Sequence, residues 1–403
     1  MTDARVETVT ADVAVVGAGP AGLVCAIALA SAGVDTLVVA PPRQADNRTT
    51  ALLAGSVTAL ATLGVWQCCL PKAAPLRKIR LVDDTARLLR APEVLFDAAE
   101  IGLEAFGHNI ENRHLLAALE ARAADLKIAR IAEAALTVRG DETGVTIEHA
   151  AGIARAQLVV GADGTRSLCR TAAGIRLQRR TYPQTALTLN LGHEREHDNI
   201  STEFHTEQGP FTLVPLPGRR SSLVCVLEPK TAQSLGAMAD GALARDIERR
   251  AHWLLGPMRV EPGHGLFPLT VETAESAARG RIVLVGEAAH VLPPIGAQGL
   301  NLGLRDSATI AEVVADARRK NLDLGAPEVS AIYNARRRAD AMSRTVTVDV
   351  LNRSLLTGFI PAQAMRGLSL YLVDRIDPLR RALMREGVKP AASQPRLMRG
   401  ESV

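Results

Sequence analysis

Apolar positions along the chain follow two rhythms, and the switches between them mark its parts. Near the start, Val13, Val15 and Val16 form a β-branched run, as in a parallel strand buried on both faces. Ala21 to Ala32 is rich in strong helix formers, and Gly33 suits a left-handed C-cap. Thr36 to Val39 reads as the next strand. A second apolar run, Leu158 to Val160, breaks into "GADGTRS", and a third, Ile282 to Val285, breaks at Gly286. Leu300 to Arg318 then carries apolar residues at helical spacing. Between the second and third runs, from Thr181 to Leu269, strand-like pieces dominate: Ala186–Leu191, Thr202–His205, Phe211–Pro215 and Ser222–Val226. They predict an antiparallel sheet inserted in an α/β framework, joined by strands near Lys78–Val82 and Leu88–Phe96.

The glycines at the ends of the three runs carry the candidate chemistry. Gly17-Ala18-Gly19-Pro20-Ala21-Gly22 is a G-x-G-x-x-G between a strand and a helix, the context this motif needs. Gly17 permits the tight turn, Gly19 lets backbone amides approach a pyrophosphate, and Gly22 lets helix and strand pack closely. The phosphates then sit at a helix N-terminus, where free N–H groups and the dipole favour anions. An acid that binds ribose is expected about twenty residues on; Ala40, followed by Pro41-Pro42, stands there. In the third element Gly296, Gly299 and Gly303 punctuate the approach to the long helix, with Gly299 near its N-terminus. Three glycine-broken strand ends on one sheet argue for one extended ligand.

A chain of 403 residues is too long for one small core. A net charge of +4 gives no case for nucleic-acid binding. Five scattered cysteines have no metal spacing and argue against a disulfide framework. No signal peptide and no apolar run long enough to span a bilayer is read. The expectation is a cytoplasmic protein, or one peripheral on the inner face of the membrane.

In this order, "GAGPAG", "GADGTRS" and "GEAAHVLPPIGAQGLNLGLRD" resemble the motifs of the FAD-dependent aromatic hydroxylases that share the p-hydroxybenzoate hydroxylase fold. "RTTALLAGS", "GHNIENRHLLAAL" and "GPFTLVPLP" look like the ubiquinone-biosynthesis hydroxylases, the 2-polyprenyl-6-methoxyphenol hydroxylase group. The resemblance covers nearly the whole chain. It implies FAD bound by Gly17, Gly19, Pro20, Ala21 and Gly22 at the pyrophosphate and by Arg48 at the phosphate and ribityl region. Asp163 and Gly164 would line the cofactor, and Gly286 and Glu287 would meet the ribityl chain. Pro294 would face the flavin ring beside the substrate. Gly299 and Leu300 amides would contact its pyrimidine end, and Asn301 would cap the helix or touch the ring. Position 287 is Glu where the family motif has Asp. His290 fits a structural motif residue, and no acid–base pair is assigned.

The implied fold class is α/β. A Rossmann-like FAD-binding domain (1–77, 101–180 and 271–330) holds an inserted antiparallel β-sheet substrate domain (78–100 and 181–270). A C-terminal helical region (331–390) and a mobile tail (391–403) follow. The implied reaction is hydroxylation of a polyprenyl phenol with NAD(P)H and O2 through a flavin C4a-hydroperoxide. With no second G-x-G-x-x-G, the reductant would bind transiently. Another flavin enzyme of this fold, or a non-catalytic member of a quinone-biosynthesis complex, stays open. A tryptophan halogenase is disfavoured, since no W-x-W-x-I-P occurs. Leu351, Leu355, Leu356, Phe359, Ile360, Leu368 and Tyr371 recur at helical spacing, interleaved with Arg353, Arg366, Arg375, Arg380, Arg381 and Arg385. They read as amphipathic helices that either pack on the FAD domain or meet a membrane surface or complex partner.

Overall fold

The computed structural model describes residues 7–42, 46, 48–86, 90–294, 296–337, 376–388 and 394–403. The three glycine-broken runs become the strands Glu7–Val16, Gly152–Gly161 and Ile282–Leu284. They lie side by side and parallel in an eight-stranded sheet, with Val16 opposite Gly161 and Gly161 opposite Leu284. All three therefore end along one carboxyl edge, where open α/β sheets bind ligands.

Period-two alternation sends their side chains to both faces, and both faces are covered. Val13, Val15, Leu158, Val160 and Val283 pack under the helices Pro20–Ser31 and Gln298–Arg319, with Leu23, Ile27 and Leu304. Ala14, Val16, Val159, Ile282 and Leu284 face Val138, Val145 and Ile147 of an antiparallel hairpin. Each fully buried Val, Leu or Ile contributes about 1.5–3 kcal/mol.

The inserted sheet has nine strands, among them Leu177–His193, Ile200–His205, Pro210–Leu216, Arg220–Leu227 and Gly265–Ala274. Lys78–Asp83 and Val94–Asp97 complete one edge. The strand expected at Leu88–Phe96 thus begins later, and residues 87–89 lie outside the described set. Two helices, Pro229–Gly236 and Asp240–Arg250, back this sheet where only strands were expected. Their apolar residues Ala232, Leu235, Leu243, Ala244 and Ile247 cover Leu187, Leu189, Phe211, Leu213, Leu223 and Cys225. Helical spacing was present there, masked by the surrounding strand residues.

Two C-terminal expectations are corrected. From Gln394 on, the supposed mobile tail is packed. Leu397 and Met398 are buried, Arg396 N donates to Glu312 at 2.8 Å, and Arg396 pairs with Asp316 at 3.0 Å. Arg380 is not a surface cation of the helix Asp377–Val388. It is buried against Glu100 at 2.6 Å and stacks 4.7 Å from the Phe96 ring centroid. Arg381 and Arg385 are exposed. Leu351 through Tyr371, with Arg353, Arg366 and Arg375, lie outside the described residues.

Candidate functional site

One cavity of about 940 Å³ opens along the carboxyl edge of the parallel sheet and runs beneath the inserted sheet. That is the upper end of the range for small-molecule sites. Gly17, Gly19, Pro20, Ala21, Gly22, Arg48, Asp163, Gly164, Gly286, Glu287, Pro294, Gly299 and Leu300 all line it. The glycine geometry explains their identities. Gly17 has φ +112°, and a Cβ there would lie 2.3 Å from the Ala162 carbonyl oxygen. A Cβ on Gly22 would lie 2.1 Å from the Gly17 oxygen. A side chain at Gly17 would push the first loop off the second, and one at Gly22 would push the helix off its own turn.

Two helix N-termini meet the cavity without side-chain caps, Gly19 before Pro20–Ser31 and Ala297 before Gln298–Arg319. Orphan N–H groups at both ends are available to a ligand. Ala297 is itself left-handed at φ 54°, a rare state for a residue with a Cβ. A Cβ on Gly299 would meet only open space, so its backbone borders the cavity bare. This suits an elongated ligand with an anionic middle and an electron-rich ring at one end.

Several expected side chains also serve the scaffold. Arg48 makes two bonds to Asp46, at 2.9 and 2.8 Å, and lies 5.6 Å from the Phe267 ring centroid. Burial works against the Asp46 charge, but hydrogen bonds from Arg48 and Asn112 outweigh it and hold the carboxyl at about 2. The Asp46 bond is also the main cause that raises Arg48. Asp163 accepts from Ser167 Oγ at 2.6 Å and Cys169 N at 3.0 Å, so it caps the short helix Leu168–Ala172 from the cavity wall. Glu287 is exposed beside Gly164. Asn301 does not line the cavity. Its amide donates to Ala297 O at 2.6 Å and Ala51 O at 2.8 Å and accepts from Leu53 N at 2.9 Å, which ties the helix start to the strand Thr49–Leu53. Ala40 borders the cavity with Pro41 and Pro42.

His290 is a scaffold residue. Its Nε2 meets Asp306 Oδ2 at 2.6 Å, both buried, and Asp306 also accepts from Gly286 N at 2.9 Å and Arg337 Nε at 2.6 Å. Burial pushes the Asp306 carboxyl up, but Arg337 and His290 prevail and hold it below its usual range. Asp306, Asn109 and Phe267 were not read from the sequence, because their partners lie far along the chain, and Asp46, two residues from Arg48, was not read either. Buried Asn109 crosses between sheets, donating to Pro215 O and Ser222 Oγ, each at 3.0 Å.

The inserted sheet turns alternate residues to the cavity: Thr188 and Asn190, Ser201 and Glu203, Thr212 and Val214, Ser222 and Val224. Glu203 Oε1 meets His205 Nε2 at 2.8 Å, a pair that the sequence reading passed over. The E-x-H spacing within a strand was the available signal, since i and i+2 share a face. Among the described residues no group of His, Cys, Asp or Glu could hold a metal ion. No helix among them is long and apolar enough to cross a membrane.

Comparison with known proteins agrees with this geometry. The family described as FAD binding domain matches residues 10–344. The ubiquinone hydroxylase UbiL of Rhodospirillum rubrum is 36% identical, over 97% of this chain and 93% of its own length. The 3-demethoxyubiquinol 3-hydroxylase of Escherichia coli is 30% identical, over 93% of this chain and 97% of its own. The structure of p-nitrophenol 4-monooxygenase PnpA from Pseudomonas putida superposes with a TM-score of 0.78 at 20% identity, covering 96% of this chain and 100% of that one, a likeness of fold alone. With its three glycine-broken strand ends around one cavity and this full-length similarity, the chain belongs to the FAD-binding family of flavin-dependent aromatic monooxygenases.

Proposed function

We propose that this protein hydroxylates the aromatic ring of a polyprenylated phenol in ubiquinone biosynthesis. The observation that carries the reading is the full-length similarity to ubiquinone hydroxylases, joined to a cavity walled by cofactor-side glycines and by a sheet of mixed polarity. The uncapped amides after Gly19 would hold the FAD pyrophosphate, with Arg48 nearby. Gly299 and Leu300 amides would face the pyrimidine end, and Glu287 the ribityl hydroxyls. FAD held there would supply the redox chemistry of a monooxygenase, with two electrons from NAD(P)H, one atom of O2 going to the ring and the other to water. The protein positions the ring and keeps water away, with Ile79, Val214, Val224, Phe267 and Leu269 on the cavity wall. A polyprenyl phenol partitions into lipid, so delivery would come from a membrane surface or a carrier partner. Exposed Arg381 and Arg385 would favour an anionic surface.

The test is direct. The purified protein should be yellow and should consume NADPH and O2 with 2-geranyl-6-methoxyphenol, yielding a product heavier by one oxygen. A colourless protein, or a yellow one that oxidises NADPH without oxygenating the phenol, overturns the reading. Liposome flotation addresses delivery. Anionic vesicles should lift the protein at low salt, less so after Arg381→Ser with Arg385→Ser, and no flotation of the wild type would leave delivery to a partner.

A further inference from the structure

Among the described residues that the strands Leu177–His193, Ile200–His205, Pro210–Leu216 and Arg220–Leu227 send to the cavity, Glu203 is the ionisable one. Its neighbours there are hydroxyls, an amide and aliphatic groups. Its side chain is only 17% exposed, and the sheet fixes it from two sides. His205, two residues on and on the same strand face, donates Nε2–H to Oε1 at 2.8 Å. Thr212, directly opposite on the next strand, donates its hydroxyl to Oε2 at 3.2 Å. A carboxylate has about four lone-pair sites, so two acceptor positions remain after the wall is satisfied. An ionised carboxylate only accepts, so it selects a donor on whatever occupies the cavity.

We infer that Glu203 accepts the hydrogen bond of the substrate's ring hydroxyl and thereby sets which ring carbon faces the cofactor. The inference rests on the proposed phenol substrate and names a specificity-determining residue for it. A phenol carries one strong donor, its O–H. Methoxy and prenyl substituents carry none, so the carboxylate tells the hydroxyl position from the others around the ring. The bond also leaves more electron density on the ring oxygen, which favours electrophilic attack on the ring. Ser201, Thr212 and Ser222 can each donate or accept and cannot make that distinction alone. His205 and Thr212 are positioning residues, since they hold the carboxylate in one rotamer.

The experiment compares 2-geranyl-6-methoxyphenol with its methyl ether, which keeps the ring and its other substituents but has no donor. Binding to FAD-loaded wild type, Glu203→Ala and Glu203→Gln is read from the flavin spectrum, and product regiochemistry by mass spectrometry and NMR. A charge-assisted hydrogen bond corresponds to a loss of about ten- to a hundredfold. Glu203→Ala should weaken the phenol by that factor, leave methyl ether affinity the same as wild type, and scatter or uncouple oxygenation. Glu203→Gln, whose amide oxygen still accepts, should fall between. Equal losses for phenol and ether, or none for the phenol, overturn the assignment while leaving the proposed function standing. Wild type that neither binds nor oxygenates the phenol overturns both. If Glu203→Ala purifies without FAD, the near-isosteric Glu203→Gln decides by the same selectivity.

Discussion

Replacing Asp306 with Asn tests how far the buried ion cluster holds the cavity floor. Three donors converge on the two carboxylate oxygens: Gly286 N, His290 Nε2 and Arg337 Nε, at 2.9, 2.6 and 2.6 Å. An amide offers one oxygen, so at least one donor must face an NH2 group. The change also deprives the buried Arg337 guanidinium of this anion. Removing one partner of a buried pair costs about 3–5 kcal/mol. At an unfolding entropy of roughly 2 cal/mol/K per residue, that is a fall in Tm of roughly 4–6 °C for the 403 residues. Gly286 sits in the turn at φ +59°, so the loss should also weaken FAD retention. The pH dependence supplies a second arm. The folded carboxyl lies below the ordinary 3.8, so its stabilisation is present above that value and is lost as pH falls through the folded pKa. The gap between wild type and Asp306→Asn should therefore close in acid. Melting curves across pH check both arms. A neutral-pH difference under about 1 °C, or a gap that widens in acid, would refute the reasoning.

Three further outcomes follow from the same geometry. Gly22→Val drives a side chain into the Gly17 carbonyl and should abolish flavin retention, checked by absorbance on purification; full flavin content would sink the site assignment. Arg48→Ala should fold and weaken FAD affinity by about tenfold, as expected for a lost charge-assisted bond; unchanged affinity in a fluorescence titration returns Arg48 to the scaffold with Asp46. Leu397→Ala, at a residue 1% exposed, should lower stability by about 2–5 kcal/mol in denaturant melts, whereas a neutral effect would mean the last turn is not packed.

The cofactor half was legible because glycine carries its reasons locally. A tight turn, a close approach and a bare helix start each demand it within a few residues. The strands Thr36–Val39 and Ile200–His205 followed from composition for the same reason, and the helix Gln298–Arg319 from its apolar period. What stayed hidden depends on distant partners. Asp306 looks like any helix-surface acid until Arg337 and His290 close on it. Arg380 looks like an interfacial cation until Glu100 claims it. Glu203 and His205 are the instructive miss, since their pairing needs only the period-two rule, applied to polar residues as well as apolar ones.

The inserted sheet has consequences for how this protein could change over evolutionary time. Along Pro210–Leu216, Phe211 and Leu213 belong to the helix-backed core, while Thr212 and Val214 belong to the cavity. The neighbouring strands alternate in the same way, with Leu189 and Leu223 reaching both core and cavity, so the two functions of the sheet are written largely on interleaved letters. A substitution at a cavity-facing position can redraw ring preference without touching the core, and several can accumulate independently. An inserted or deleted residue within a strand would exchange the two sets at once. Relatives with new substrates should therefore arise by point replacement on alternate positions, with strand lengths held constant.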